Sequence, residues 1–182
     1  MRDDAHVIQL RPATPADVQV AAILLYSAYT HTQVTYPPGQ DVEPGFVERL
    51  ERFFRADGNR FSYQHIQVAF HGSDVVGLAS SFGGRDETQL NAAVSWLARE
   101  AEDDEWYVDA LAVLKDWGHR GIGARLLLDA ERQAREHGYA KIALSVAREN
   151  TQAMRLYTRL GYVAGQRIVL YGLPYVRMAK TL

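Results

Sequence analysis

Three glycines in the run Gly118-His119-Arg120-Gly121-Ile122-Gly123 stand where the apolar stretch Leu111-Ala112-Val113-Leu114 gives way to a helical pattern. Glycine lets a backbone approach a ligand closely and adopt positive φ. The free N–H groups and dipole of a helix's first turn favour anions. Arg120, with His119 beside it, adds positive charge. Together these are the parts of a diphosphate cradle; the plainer alternative is a tight turn before a helix. The spacing Gly-x-x-Gly-x-Gly differs from the dinucleotide pattern Gly-x-Gly-x-x-Gly, and a P-loop needs Lys-Ser/Thr after its last glycine, where Gly123 is followed by Ala124-Arg125. A second candidate lies just upstream. Asp109 is a carboxylate in the middle of an apolar strand, which is costly unless it is paired or solvated.

The elements that position these residues follow from periodicity. Trp106 to Leu114 is expected as a strand, with Tyr107, Asp109, Leu111 and Val113 on one face and Trp106, Val108, Ala110 and Ala112 on the other. Gly121 to Gly138 is expected as a helix with Ile122, Leu126, Leu127, Ala130 and Ala134 toward the core, closed by Gly138. Lys141 to Val146 is a strand, Asn150 to Leu160 a helix with Asn150 suited to its N-cap, and Tyr162 to Leu170 and Tyr175 to Ala179 the final strands. Upstream, Val7 to Arg11 is an edge strand, and Thr14-Pro15-Ala16-Asp17 starts a helix running to Tyr29. His31 to Pro44 is a loop, Gly45 to Ala56 a helix, and Ile66 to Phe70 with Val75 to Phe82 a hairpin broken by Gly83-Gly84. Thr88 to Glu100 has helical spacing through Leu90, Val94 and Leu97, and the acidic run Glu102 to Glu105 is expected as a solvated loop. Strands alternating with helices imply an α/β or α+β sheet covered by helices.

The 182 residues fit one domain over 1–182, and no internal repeat or low-complexity segment interrupts them. At 47% hydrophobic and 23% charged, the composition is that of an ordinary globular chain. With no cysteine, there is neither a disulfide framework, a thiolate zinc site nor a cysteine nucleophile, and the six histidines lack metal-ligand spacing, so no metal is expected. A net charge of −2 argues against a general nucleic-acid binder. The polar start Met1 to His6 has no apolar segment of a signal peptide and no run is long enough to span a bilayer, so a cytoplasmic protein without membrane partners is expected.

Residues 150 to 162 read Asn-Thr-Gln-Ala-Met-Arg-Leu-Tyr-Thr-Arg-Leu-Gly-Tyr. With the glycine loop one helix and one strand earlier, the chain resembles the GNAT acetyltransferase superfamily. That family's pyrophosphate motif, Gln/Arg-x-x-Gly-x-Gly/Ala, is met by Gly118 to Gly123, and Asn-x-x-Ala-x-x-Leu-Tyr-x-x-x-Gly-Phe/Tyr by Asn150, Ala153, Leu156, Tyr157, Gly161 and Tyr162. The resemblance is strong over residues 105 to 170. One position departs: Gly118 stands where Gln or Arg is usual, which removes a side chain near the diphosphate, and Arg120 or Arg125 is left to compensate.

The resemblance implies a central mixed, mostly antiparallel sheet of about seven strands flanked by four to five helices. It implies direct transfer of an acetyl group from acetyl-CoA to a primary amine, small-molecule or peptide. Leu111, Ala112, Val113, Gly118, His119, Arg120, Gly121, Ile122, Gly123 and Ala124 would then bind the cofactor with Asn150, Ala153 and Tyr157. Tyr157 matches the position that protonates the departing thiolate, and Asp109 one that takes the amine proton through water or orients the substrate, with Glu105 as the fallback base. Tyr26, Tyr29, His31, Tyr36 and the Tyr171 to Tyr175 turn match the acceptor side. Two other readings stay open: a non-catalytic acyl-CoA-binding module, and a nucleotide-binding or structural α/β domain. A homodimer through edge strands or the last hairpin also stays open.

Overall fold

The first strand, β1 (Gln9–Pro12), is short because Pro12 removes a ladder donor and turns the chain toward Thr14. The computed structural model describes residues 7–182, so the leader reading of Met1 to His6 lies outside the described residues. Asp17 fastens the next turn. Its carboxylate accepts from Thr14 N (2.7 Å) and from both guanidinium nitrogens of Arg11 (2.7 and 2.8 Å). A 3₁₀ turn, Pro15–Asp17, leads into α1 (Val18–Thr30), and α2 (Pro44–Arg55) follows a loop. Then come β2 (Ile66–His71), β3 (Asp74–Gly83), α3 (Glu87–Leu90), β4 (Trp106–Val113), α4 (Ile122–Glu136), β5 (Lys141–Ala147), α5 (Thr151–Arg159), β6 (Val163–Leu170) and β7 (Leu173–Thr181).

The seven strands form one sheet in the order β1-β2-β3-β4-β5-β7-β6. β1–β2, β2–β3, β5–β7 and β6–β7 pair antiparallel, while β4 and β5, joined through α4, pair in parallel. The expected fold class, a mostly antiparallel mixed sheet with five helices, is the one observed. Among the described residues, no helix is long and apolar enough to cross a membrane.

The chain clusters into two compact units. Among the described residues, one holds those up to 80 together with 110–127, and the other 81–109 and 128–182. In the first, Ala69, Val76, Ala79, Ile122 and Leu126 form a core against which Leu10, Leu111, Val113 and Trp117 pack. In the second, Phe82, Leu90, Ala101, Tyr107 and Ala143 do the same, with Ala179 beside them.

The expected helix over Thr88 to Glu100 does not form. Only α3 is α-helical there, followed by a 3₁₀ turn at Ala92–Val94. The cause is Glu87, whose fully buried carboxylate accepts from the backbone N–H of Glu100 and Ala101, both at 2.8 Å. A continuous helix would carry residue 100 roughly 18 Å along its axis from residue 88. The Glu87 clasp requires the chain to return instead.

Candidate functional site

In the first unit β4 ends at Val113, and Leu114 N donates to Val76 O (2.9 Å) while Lys115 N donates to Val34 O (2.8 Å). Gly77 on β3 permits this packing: a Cβ there would lie 3.1 Å from Ala112 O and 3.3 Å from Val113 Cγ2. A 3₁₀ turn at Lys115–Trp117 then delivers the glycine loop. His119 (φ 61°) and Gly121 (φ 74°) are both left-handed, and residues 119–121 are exposed. Backbone in which residues of alternating handedness follow one another is the general form of an anion-binding nest. The first bond of the α4 ladder runs from Arg125 N to Gly121 O (3.1 Å), so Ile122, Gly123 and Ala124 offer N–H groups ahead of it. The side chain of Ile122 is buried in the core, which leaves only its backbone for a ligand. Arg120 lies over the Trp117 ring, 4.7 Å from its centroid, and the His71 ring packs 4.9 Å from that indole. Gly118 has φ −59°, which any residue adopts, and an added Cβ would press only on Lys115 O at 3.2 Å.

The second unit holds Asp109, Asn150, Ala153 and Tyr157. The β4–β5 register runs from Trp106↔Ile142 to Val108↔Leu144, and Asp109 follows it, half-buried. The alternation expected for this strand is observed, and Asp109 meets its desolvation cost by partial exposure. Tyr107 is fully buried, and burial, the charge of Glu100 and that of Asp109 all push its phenol up. Asn150 caps α5 as its type suggests, with Oδ1 accepting from Ala153 N at 3.1 Å. Tyr157 is 8% exposed on α5, its ring 6.0 Å from that of Tyr162, and burial alone pushes its phenol up to about 12.

Two expectations change. The acidic run is not merely solvated, because Glu105 is fully buried. Its carboxylate pairs with Arg177, accepts from Glu102 N at 2.9 Å and lies 3.4 Å from Lys141 Nζ. That commitment to two cations makes Glu105 a structural group, not a fallback base. Lys141 Nζ also sits 2.6 Å from Glu102 and 2.9 Å from Asp104, so an ammonium already fills the place where three carboxylates would gather a cation. On the expected acceptor side, Tyr26 packs edge-on against Phe46 and its hydroxyl donates to Asp41 O at 3.3 Å. Tyr29 packs on Phe61, Tyr36 donates to Gln19 Oε1 at 3.2 Å, and His31 is the left-handed C-cap of α1. Tyr26 and Tyr29 are thereby packed into the first unit, while His31 and Tyr36 stay exposed. What the sequence did not reveal is Glu100. It lay at the end of the expected helix, and its contacts depend on the Glu87 clasp, which no spacing announces.

The acetyltransferase (GNAT) family model matches residues 25–162. Over 120 residues the chain is 36% identical to the mycothiol acetyltransferase of Corynebacterium aurimucosum, a match covering 64% of this chain and only 35% of that protein. Among solved structures, an N-acetyltransferase from Staphylococcus aureus Mu50 is similar with TM-score 0.79 at 24% identity, over 94% of this chain and 100% of that one. The structure of yncA from Salmonella typhimurium with its cofactor acetyl-CoA is similar with TM-score 0.66 at 18% identity, over 96% and 94% of the two chains. At these identities the structures speak for the fold.

Proposed function

The chain belongs to the acetyltransferase (GNAT) family, and we propose on that basis that residues 1–182 act as a single N-acetyltransferase domain taking acetyl from acetyl-CoA to a primary amine. The observation that carries this is the loop from Gly118 to Ala124. It is exposed at residues 119–121, has two left-handed residues and unladdered N–H groups, and holds a guanidinium over an indole. These features fit a diphosphate. In this reading the backbone of Leu111, Ala112 and Val113 holds the pantetheine arm, with Asn150 and Ala153 on α5 serving the same ligand.

The thioester supplies an activated acetyl group, and the net change is R–NH₃⁺ plus acetyl-S-CoA giving R–NH–acetyl, HS-CoA and a proton. Asp109, half-exposed, takes the ammonium proton through water and leaves a neutral nucleophile. The C–N bond forms, the C–S bond breaks, and Tyr157 donates its proton to the sulfur as negative charge develops there, then recovers a proton from the acylated nitrogen as the amide forms. A phenol pushed up to about 12 keeps its proton throughout the neutral range, so that donor is always loaded.

A melting titration tests this first. Acetyl-CoA at 100 times its dissociation constant should stabilise by about 2.7 kcal/mol, or roughly 5 to 10 °C for a chain of this size. ATP and NADH should give no shift. No shift with acetyl-CoA would sink the proposal, and binding without thiol release on any amine would favour a non-catalytic acyl-CoA module. Gly118→Arg restores a side chain whose backbone geometry is already suitable. It should tighten CoA binding by about fivefold, the worth of one charge-assisted contact; calorimetric titration would show it. Unchanged affinity would mean that Arg120 and the backbone already saturate the phosphates.

A further inference from the structure

Directly paired residues share a face of a sheet. The registers Tyr107↔Ala143, Ala143↔Ala179, Ser145↔Arg177 and Ala147↔Tyr175 therefore place Tyr107, Ala143 and Ala179 on one face. Alternation along the strands adds Asp109, Ser145 and Tyr175 to it. At Ala143 that face is closed by Phe82, Leu90 and Ala101. One step along each strand it opens, since Asp109, Ser145, Ala147 and Tyr175 are only half-buried.

Glu100 stands where the cover ends, next to Ala101. Tyr107 donates to its Oε2 at 2.7 Å, and Tyr171 donates to its Oε1 at 3.4 Å. Burial and the Glu100 charge push the phenol of Tyr175 up, so that ring also lies within its field. Arg177 Nη1 donates to the backbone O of Glu100 at 2.6 Å, while its other nitrogen is paired with Glu105. Arg177 and Lys141, which alternation puts on this face as well, are thus both engaged by Glu105.

Two carboxylates with aromatic rings around one of them, beside small side chains, suit a cation of modest width. We infer that Glu100 is the anionic anchor of the acceptor, so that the substrate is a dicationic amine with one ammonium at Asp109 and its second positive charge at Glu100. This rests on the acetyltransferase reading and deepens it. It also gives the segment between β3 and β4 the task of choosing the acceptor.

The test compares putrescine with butylamine, which has the same chain length and no second ammonium, under saturating acetyl-CoA. The wild-type protein should favour putrescine. Glu100→Gln keeps an acceptor for the Tyr107 hydroxyl and removes the charge. It should lower kcat/KM for putrescine on the order of tenfold or more, through KM, while butylamine and the KM for acetyl-CoA change by less than about twofold. Glu100→Asp, which retains the charge, should recover part of the preference and serves if the glutamine variant melts early. Equal rates on the two amines, an equal loss on both, or no loss would overturn the anchor. Acetyl-CoA binding without turnover of either amine would overturn the diamine class. Absence of any acetyl-CoA-dependent melting shift would instead strike at the acetyltransferase reading itself.

Discussion

Tyr157→Phe should lower kcat by about a hundredfold or more, the usual worth of a positioned proton donor, with acetyl-CoA affinity and fold retained. The phenylalanine ring keeps the packing on Tyr162, so only the hydroxyl is lost. A loss in kcat and kcat/KM together would place the contact in the transition state, whereas a rise in KM alone would make Tyr157 a channel lining. The same substitution has a signature in stability. Burial raises the phenol from its ordinary 10 to about 12. The folded state therefore holds this proton more tightly than the unfolded chain. The associated stability is fully present below pH 10 and is lost as pH rises through about 12. A shift of two units corresponds to roughly 2 to 3 kcal/mol. The difference in stability between wild type and Tyr157→Phe should thus move by about that much between pH 9 and 12, as denaturant melts would show. A constant difference would mean that the hydroxyl reaches water.

Arg177→Met should be the most destabilising single change on the second unit. It leaves the fully buried Glu105 carboxylate with Lys141 at 3.4 Å as its remaining cation, and it deprives the Glu100 carbonyl of its donor. Breaking a buried pair from one side costs about 3 to 5 kcal/mol, which is roughly 10 °C or more for a chain of this size. Arg177→Met combined with Glu105→Leu should recover much of that loss, because two apolar side chains need no partner. Calorimetry on the single and double variants decides the matter. If the single variant melts like wild type, water is reaching Glu105.

The parts of the molecule that the sequence made legible are those whose cause is local. Gly138 and Gly161 are both left-handed where a helix ends, and Asn150 caps its helix three residues before Ala153. The core-facing stripe of α4 is buried at every expected position: Ile122, Leu126, Leu127, Ala130 and Ala134. The illegible parts have distant causes. The spacing of Leu90, Val94 and Leu97 is helical, yet the backbone of residues 100 and 101 is drawn to Glu87. The acidic run looked solvated because Lys141 and Arg177, which claim it, lie 36 and 72 positions beyond Glu105 in the chain. For the tyrosines of the first unit, packing and substrate contact read alike in the sequence, because an amphipathic ring suits both.

The clasp at Glu87 has a consequence for how such a protein can change. A loop tied at both ends to one carboxylate tolerates a different length and composition between its ties, since closure entropy grows only slowly with length. Residues 88–99, apart from the core-packed Leu90 and Val94, are therefore open to change in length and composition. A lineage could vary the exposed positions among them in small steps while the clasp keeps the backbone of residues 100 and 101 in place.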